Sequence, residues 1–238
     1  DITTPFDPEA YPELVRFRIK VQGIQEIYHL ACPTSPKRFD QFKLQTLYVN
    51  SIGMKNILDV AERFKARIVH ASTSTVYGGR PADGHAFREE ELGCVDTQSA
   101  RACYDEGKRF AETMCATYAQ VHSMDVRVAR LFRVYGPRAP LYEAHMIPDF
   151  ILNALDQKEL EIFGDETFHT SLLYVSDAVE GLRKVMSAPA GLGPVNLGSD
   201  LDVRIVDVAQ KIIDMTGSSA KLAFKDTLLF MTPLGLPD

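Results

Sequence analysis

Two short stretches of the chain carry side chains that are able to move a proton. The segment ASTSTVYG, residues 71–78, places four hydroxyl residues in a row after an apolar run. Further along, Tyr104 and Lys108 stand four residues apart, a spacing that puts both on one face of a helix. A phenol with an ordinary pKa of about 10 is a poor base at pH 7, and a nearby ammonium favours the phenolate. Tyr104 and Lys108 are therefore a candidate acid/base pair, although this spacing also arises by chance on surface helices.

The elements around these residues predict a parallel α/β sheet. Strands are expected over 26–31, 67–71 and 126–131, and helices over 44–64 and 103–122, with a loop at 78–102 between them. This alternation implies parallel strands joined by right-handed helical crossovers. Sheets of this kind bind ligands at the carboxyl ends of their strands. The hydroxyl segment follows the second strand, so we expect it at the ligand-binding edge.

The pattern changes after Gly136 and Pro137 to shorter elements. Helices are predicted over 146–155, 174–186 and 203–215, and short strands over 160–163 and 194–197. We predict a main α/β domain over residues 1–138 and a smaller lobe over 139–238. A helix and strands of the second part are expected to return to the main sheet.

The glycine-rich turn of dinucleotide-binding sheets is missing from this sequence. Neither Gly-x-Gly-x-x-Gly nor Gly-x-x-Gly-x-x-Gly occurs in it. Two interpretations remain open from the residues alone. Either the fold binds no dinucleotide, or the chain lacks the first βαβ unit of such a sheet.

The composition excludes several classes of protein. The chain has 238 residues, of which 45% are hydrophobic, and a net charge of −6, values typical of a globular protein without a nucleic-acid surface. No apolar run reaches the ~18 residues of a membrane span. The cysteines form no Cys-x-x-Cys pair, so we expect free thiols, no metal site and a cytoplasmic location. They are Cys32, Cys94, Cys103 and Cys115.

Taken together, a hydroxyl at a strand end and a helical Tyr/Lys pair resemble the triad of the short-chain dehydrogenase/reductases. The sequence is similar to the extended branch of that family, the NAD-dependent sugar-nucleotide epimerases, dehydratases and decarboxylases, and most similar to the UDP-glucuronate decarboxylases within it. The similar stretches run in the family's order; they are IYHLACPTSP (27–36), ASTSTVYG (71–78), RACYDEGKRFAETMCATY (101–118), VRVARLF (126–132), YGPR (135–138), YVSDAVEGL (174–182) and VNLGS (195–199).

The resemblance implies a Rossmann-like sheet, NAD as the cofactor and a UDP-sugar as the favoured substrate. Residues 1–138 would then form an NAD-binding domain that is incomplete at its N-terminus, and residues 139–238 a substrate-binding lobe. Asp1 and Ile2 would then lie at the end of a strand that follows the missing βαβ unit. Tyr104 would take the proton of the sugar 4-hydroxyl as hydride leaves C4 for NAD+. Thr73 would hydrogen-bond at the reacting centre, and Lys108 would hold the nicotinamide ribose and lower the pKa of Tyr104.

The remaining roles also follow from the resemblance only. Residues expected to contact the cofactor are Asp1, Ile2, Leu30, Ala31, Thr46, Ser72, Tyr104, Lys108 and Val134. Residues expected to contact the substrate are Asn50, Ser74, Thr75, Arg133, Arg138 and His145. The resemblance further implies a homodimer formed through the long helices at roughly 43–64 and 103–122.

Four positions depart from the decarboxylase pattern. Thr75 stands where those enzymes carry Glu, and Thr170 stands where they carry the Arg that meets the substrate carboxylate. Arg133 replaces an Asn and His145 replaces an Arg. Arg133 is expected either to bind a substrate anion or to form a salt bridge, and His145 either to titrate or to cap a helix.

These departures leave oxidation at C4 intact and leave open what happens to the resulting keto-sugar. Decarboxylation is the leading interpretation. A 4-epimerase or another oxidoreductase is the alternative that Thr75 and Thr170 favour. A non-catalytic subunit that only binds a partner is the third.

Overall fold

The computed structural model describes residues 1–35, 39–226 and 235–238 of the chain. Its α-helices are α1 (Ile19–Gln22), α2 (Phe39–Tyr48), α3 (Met54–Phe64), α4 (Ala102–His122), α5 (Met146–Leu155), α6 (Val175–Ser187) and α7 (Ile205–Thr216). Its strands are β1 (Glu26–His29), β2 (Arg67–Thr73), β3 (Val126–Leu131), β4 (Val134–Tyr135), β5 (Leu160–Phe163), β6 (His169–Thr170), β7 (Leu173–Tyr174), β8 (Val195–Leu197), β9 (Val203–Arg204) and β10 (Leu222–Lys225).

The main sheet is parallel, as the sequence predicts. Its strands lie in the order β1-β2-β3-β8. Strand β2 extends to Thr73 instead of ending at residue 71, because its pairing with β3 continues to the register of Thr73 with Leu131. The hydroxyl segment therefore begins inside the sheet, and Thr73 is the last paired residue before the chain turns.

Helices cover both faces of this sheet. On one face α3 and α4 pack against β2 and β3 in a buried cluster that includes Met54, Leu58, Ile68, Ala111 and Val128. On the other face α6 packs Leu182, Val185 and Met186 against Val69 and Ala129. A parallel sheet that is covered on both faces needs apolar residues on both sides of its strands. This explains why Ile68, Val69 and Ala71 of β2 are all buried.

The predicted helix 44–64 is longer and irregular. It begins at Phe39 in the described structure, and a π-helical turn over Val49–Gly53 separates α2 from α3. Single π-helical turns inside α-helices occur frequently at functional sites. Here the turn buries Asn50, whose side chain lies against Gly107 of α4.

The shorter C-terminal elements form a second apolar core. Strands β5 and β10 pair in parallel, and α5 and α7 pack beside them around Phe150, Leu160, Ile162 and Ile213. The predictions for 146–155 and 160–163 are confirmed. The predicted start of the last helix at residue 203 is wrong, since Val203 and Arg204 pair with β6 and the helix begins at Ile205. The domain division at residue 138 stays a prediction.

In the part of the chain that the structure describes, no helix is both long enough and apolar enough to cross a membrane. Over the same residues, no group of His, Cys, Asp or Glu side chains has the arrangement of a metal site. All four cysteines are free thiols.

Candidate active site

A cleft of about 630 Å³ opens at the carboxyl ends of β2 and β3. It brings together eight of the residues that the sequence analysis singles out: Thr73, Ser74, Thr75, Tyr104, Arg133, Val134, Arg138 and His145. The carboxyl edge of a parallel sheet is the expected position of a ligand site. The prediction that the hydroxyl segment lies at such an edge is therefore confirmed.

Thr73 is placed by the end of the strand and by the turn that follows it. Its Oγ1 accepts a hydrogen bond from the backbone N–H of Thr75 at 3.3 Å, which starts a 3₁₀ turn over Ser74–Tyr77. The turn ends at Gly78, whose φ of 89° is left-handed and where a Cβ would lie 2.0 Å from the carbonyl oxygen of Cys94. Only glycine fits this turn.

Tyr104 lies beside Thr73, and the two hydroxyl groups are hydrogen-bonded. Burial raises the pKa of Tyr104 well above its usual range, and a negative charge on Cys32 would raise it further. The bond to Thr73 and the cation of Arg101 act in the opposite direction. Arg101 is a cation that favours the phenolate in this structure. The lowering of the Tyr104 pKa that the resemblance implies for Lys108 stays a prediction.

Lys108 is almost fully buried, one helical turn after Tyr104. Its ammonium donates a hydrogen bond to the carbonyl oxygen of Ala71 at 2.7 Å, which ties α4 to the end of β2. Burial lowers the pKa of Lys108. The Tyr/Lys pair thus forms as the spacing predicts, with the ammonium directed at the strand end that carries Thr73.

A buried imidazole pair, which the sequence did not predict, lies next to this lysine. The rings of His29 and His70 stack with their centroids 5.3 Å apart, and both side chains are buried. Burial and the charge of Lys108 lower the pKa of His29 to about 4 and that of His70 well below its usual value. The contact depends on the register of β1 with β2, which pairs His29 with His70, so the sequence by itself did not indicate it.

This pair predicts a loss of stability in acid. The folded protein holds His29 neutral down to a pKa of about 4, whereas the unfolded chain binds the proton near pH 6.5, so stability falls as the pH falls through that window. We expect His29 to reduce the free energy of unfolding by about 2 kcal/mol between pH 7 and pH 5. Urea unfolding at both pH values, with His29→Phe as the comparison, measures this; an equal pH dependence in the variant would contradict it.

Asn50 and Thr46 lie under the helix that carries Tyr104. The Asn50 amide donates to the Thr46 carbonyl oxygen at 2.9 Å and to the sulfur of Cys32 at 3.3 Å. Gly107 allows this approach, because a Cβ there would come within 3.2 Å of the Asn50 amide. Cys32, which the sequence analysis did not assign to the site, therefore reaches it from the loop after β1.

The remaining candidates for cofactor contact lie outside the cleft lining. Leu30 and Ala31 are exposed at the end of β1, and Ile2 packs against Gly53, with its carbonyl oxygen accepting from Asn56 at 2.8 Å. The carboxylate of Asp1 accepts hydrogen bonds from Thr3. The hydroxyl of Ser72 donates to Glu112 inside a buried polar network. Their contacts with a cofactor stay a prediction.

Two arginines lie on the wall of the cleft. Arg133 has the Met146 sulfur at 3.8 Å from its Nη1, and no carboxylate among the described residues pairs with it, so the salt-bridge alternative is wrong. Burial, and then the charge of Arg101, lower the pKa of Arg133 to about 10. Arg101 forms an ion pair with Asp105 at 3.2 Å and lies 6.0 Å from the centre of the Tyr104 ring. Arg101 stands three residues before Tyr104, and this spacing could have indicated that the two side chains lie on one face of the helix.

The loop after Gly136 closes the other side of the cleft. His145 occupies the N-cap position of α5, but its side chain makes no capping hydrogen bond. Arg138, Tyr142 and Ala144 all have left-handed φ values, between 57° and 69°. Such conformations are unfavourable for side chains other than glycine and concentrate at functional sites.

Thr170 does not reach the cleft. It lies on β6, is 1% exposed, and its hydroxyl donates to the carbonyl oxygen of Ser171 at 3.3 Å. The position at which decarboxylases of the family carry an arginine is therefore buried and neutral in this chain.

Comparison with known proteins agrees with this arrangement. Residues 10–198 match the NAD dependent epimerase/dehydratase family. The chain belongs to this family. The sequence resemblance to NAD-dependent sugar-nucleotide enzymes is thereby confirmed, and the family is the one for which the hydroxyl, Tyr and Lys constellation was expected.

Relatives within the family cover most of the chain. A UDP-glucuronic acid decarboxylase 1 from Xenopus tropicalis is 41% identical over 201 residues, which are 84% of this chain and 47% of that protein. UDP-glucuronic acid decarboxylase 4 from Arabidopsis thaliana is 37% identical over 85% of this chain and 45% of its own length. The chain spans about half the length of the curated relatives it matches.

A solved family structure supports the fold. The UDP-glucuronic acid 4-epimerase from Bacillus cereus, in complex with UDP-glucuronic acid and NAD, superposes with a TM-score of 0.80 at 24% identity, over 98% of this chain and 71% of that one. The predicted Rossmann-like α/β class is thus confirmed.

The described residues fit a nicotinamide cofactor. The buried ammonium of Lys108, the phenol of Tyr104 and the hydroxyl of Thr73 converge at the carboxyl ends of the strands. The end of β1 at Leu30 and Ala31 is open to solvent beside them. This chain therefore offers polar donors and an accessible apolar strand end that a nicotinamide cofactor can contact.

Proposed function

We propose that the complete gene product oxidises a UDP-linked sugar at C4 with NAD+ and converts the 4-keto-sugar further, as UDP-glucuronate decarboxylases do. The observation that carries this proposal is the hydrogen bond between Thr73 and Tyr104 at the carboxyl end of β2, one helical turn from the buried Lys108. The supporting finding is the identity of 37–41% to named decarboxylases over most of the chain.

Each residue has a distinct task in this mechanism. NAD+ supplies the hydride acceptor when it is bound. Tyr104 takes the proton from the 4-hydroxyl through its phenolic oxygen, and Thr73 orients that oxygen by its hydrogen bond. Arg101 favours the phenolate across the face of the ring. Lys108 fixes α4 against Ala71 and brings a positive charge beneath the site.

The fate of the keto-sugar has a second candidate. Thr75 lines the cleft with a neutral hydroxyl, and Thr170 is buried away from it. The cleft therefore lacks both charged side chains that the decarboxylase pattern carries at these two positions. This observation favours a 4-epimerase, in which the hydride is returned to C4 without loss of the carboxyl group.

The experiment that tests the proposal uses the complete gene product with NAD+ and UDP-glucuronate. Products are identified by mass spectrometry and carbon dioxide release is measured. Loss of 44 mass units with carbon dioxide release supports decarboxylation, while an isomer of unchanged mass supports epimerisation. The absence of any product and of any NADH absorbance with UDP-glucuronate would contradict both decarboxylation and epimerisation. It would support the non-catalytic alternative.

We further propose that the protein forms a homodimer through α2 and α4 and acts in the cytoplasm. The outer face of α2 exposes Leu44, Leu47 and Tyr48, and Phe110 of the adjacent α4 is 52% exposed. These exposed side chains form an apolar surface that a second copy of the chain would cover. The free thiols are in line with a reducing compartment.

A charge on this surface is expected to weaken the dimer. Leu47→Glu would place a carboxylate in a contact that two copies share, so each dimer would bury the charge twice. We expect a monomer of the variant in light scattering at a concentration at which the unaltered protein is dimeric. Leu201→Glu, at an exposed leucine outside α2 and α4, is the control and should stay dimeric. A dimer that survives Leu47→Glu would contradict this interface.

A further inference from the structure

The two arginines on the cleft wall differ in their polar partners. Arg101 has an acidic partner in Asp105, and both side chains are mostly buried, at 14% and 8% exposure. Arg133 faces the same cleft, and within the described ranges its polar contact is the sulfur of Met146. Both arginines line this one cleft, and the charge of Arg101 disfavours the charged form of Arg133. An anion that binds to both guanidinium groups removes this repulsion.

We infer that Arg101 and Arg133 form a carboxylate-binding pair that selects a sugar nucleotide with a carboxyl group on C5. The inference rests on the proposed function, because it takes Tyr104 as the group that acts on C4. It places the selective arginine on the wall of the cleft, whereas the neutral side chain of Thr170 is buried on β6 outside the cleft.

Position along the cleft favours a carboxylate over the diphosphate of the same substrate. Arg101 lies over the ring of Tyr104, at 6.0 Å from its centre, and Tyr104 acts at C4 in the proposed reaction. The C5 carboxyl group is on the ring carbon next to C4, whereas the diphosphate is attached to C1 on the far side of the ring. The anion nearest to Arg101 is therefore the carboxylate.

The neighbouring groups suit the same anion. The residues Ser74 and Thr75 follow Thr73 in the 3₁₀ turn and line the cleft together with both arginines. Hydroxyl donors beside a guanidinium satisfy the carboxylate oxygens that a bidentate contact leaves free. Arginine suits this role because its planar fork matches a carboxylate in two parallel hydrogen bonds.

The test compares three ligands on the complete gene product loaded with NAD+. Dissociation constants are measured by calorimetry for UDP-glucuronate, UDP-glucose and UDP with the unaltered protein, Arg133→Gln and Arg133→Lys. We expect Arg133→Gln to raise the dissociation constant of UDP-glucuronate by ~10- to 100-fold, the value of one charge-assisted contact. The dissociation constants of UDP-glucose and UDP should change by no more than about twofold. Arg133→Lys should recover part of the loss, since it keeps the charge without the fork. Arg183→Gln, on the exposed side of α6, is the matched control.

Folding and binding are separated by a second measurement. Because Arg133 has no acidic partner in the described structure, Arg133→Gln should unfold at the same temperature or a higher one in the absence of ligand. Only the rise in unfolding temperature caused by UDP-glucuronate should become smaller. An unfolding temperature clearly below that of the unaltered protein would show that Arg133 has a structural partner and would overturn the inference.

The remaining outcomes separate this inference from the proposed function. Equal weakening of all three ligands would place Arg133 on the diphosphate, and unchanged binding of all three would remove it from the site; either overturns the inference while turnover still supports the function. If Arg133→Gln weakens only the binding of UDP-glucuronate and the unaltered protein shows no turnover, the inference is supported and the proposed function is contradicted. Failure of the unaltered protein to bind all three ligands would overturn both.

Discussion

Replacing Tyr104 by Phe is expected to lower kcat for sugar oxidation by about 10²- to 10⁴-fold, the usual contribution of a positioned acid/base. The change removes the phenolic oxygen and its hydrogen bond to Thr73 but keeps the ring beneath Arg101. Binding of UDP-glucuronate should therefore change little, so the effect falls on kcat and leaves KM nearly unchanged. Stopped-flow recording of NADH absorbance on the complete gene product measures the oxidation step directly.

The control for this variant is Tyr11→Phe. Tyr11 is 47% exposed in the N-terminal segment, outside the cleft, and its hydroxyl should be dispensable. Unchanged turnover in Tyr104→Phe would contradict the whole mechanism. A pH profile adds a further check, because burial raises the pKa of Tyr104 in the ligand-free protein; kcat/KM, which reports the free enzyme, should therefore increase with pH above neutrality as the phenolate forms.

The second large effect is expected on stability. Arg130 is 9% exposed, and its guanidinium donates to Glu112 at 2.8 Å, to the hydroxyl of Tyr77 at 2.7 Å and to the carbonyl oxygen of Glu89 at 2.9 Å. The network continues to Ser72, which also donates to Glu112. Arg130→Met is expected to reduce the free energy of unfolding by about 3–5 kcal/mol, because the carboxylate of Glu112 is left buried without its cation.

A double variant tests this explanation. If the cost comes from the unpaired carboxylate, then adding Glu112→Leu to Arg130→Met should recover a large part of the loss. Arg183→Met, at an exposed position of α6, should change the free energy of unfolding by less than about 0.5 kcal/mol. Urea titrations of the three variants provide the comparison. A loss that is equal in the single and double variants would show that packing, and not charge, explains the effect.

The sequence by itself determined the fold class and the position of Tyr104 and Lys108 one helical turn apart on the same helix. The strand patterns at β1, β2 and β3 and the spacing of Tyr104 and Lys108 are local patterns. Local patterns need only short-range geometry to be interpreted. Strand β3 and helix α5 were predicted with the bounds that the structure has. The family resemblance rests on stretches of this kind, so it could also be recognised before the structure.

Tertiary structure decided which of these groups act on each other. Lys108 lies within one turn of Tyr104, yet its ammonium donates to Ala71, and the charge of Arg101 favours the phenolate of Tyr104. The pairing of β1 with β2 stacks His29 on His70 across about forty residues of sequence. Contacts of this type depend on register and on helix rotation, which no single stretch of sequence encodes.

Tertiary structure also decided which of Thr170 and Arg133 faces the cleft. Both positions depart from the decarboxylase pattern, and the sequence gives no indication of which one faces the substrate. The fold buries Thr170 on β6, whereas Arg133 lines the cleft together with Arg101. Whether a side chain meets solvent or the interior is a property of the packed elements, since burial depends on residues far away in the chain.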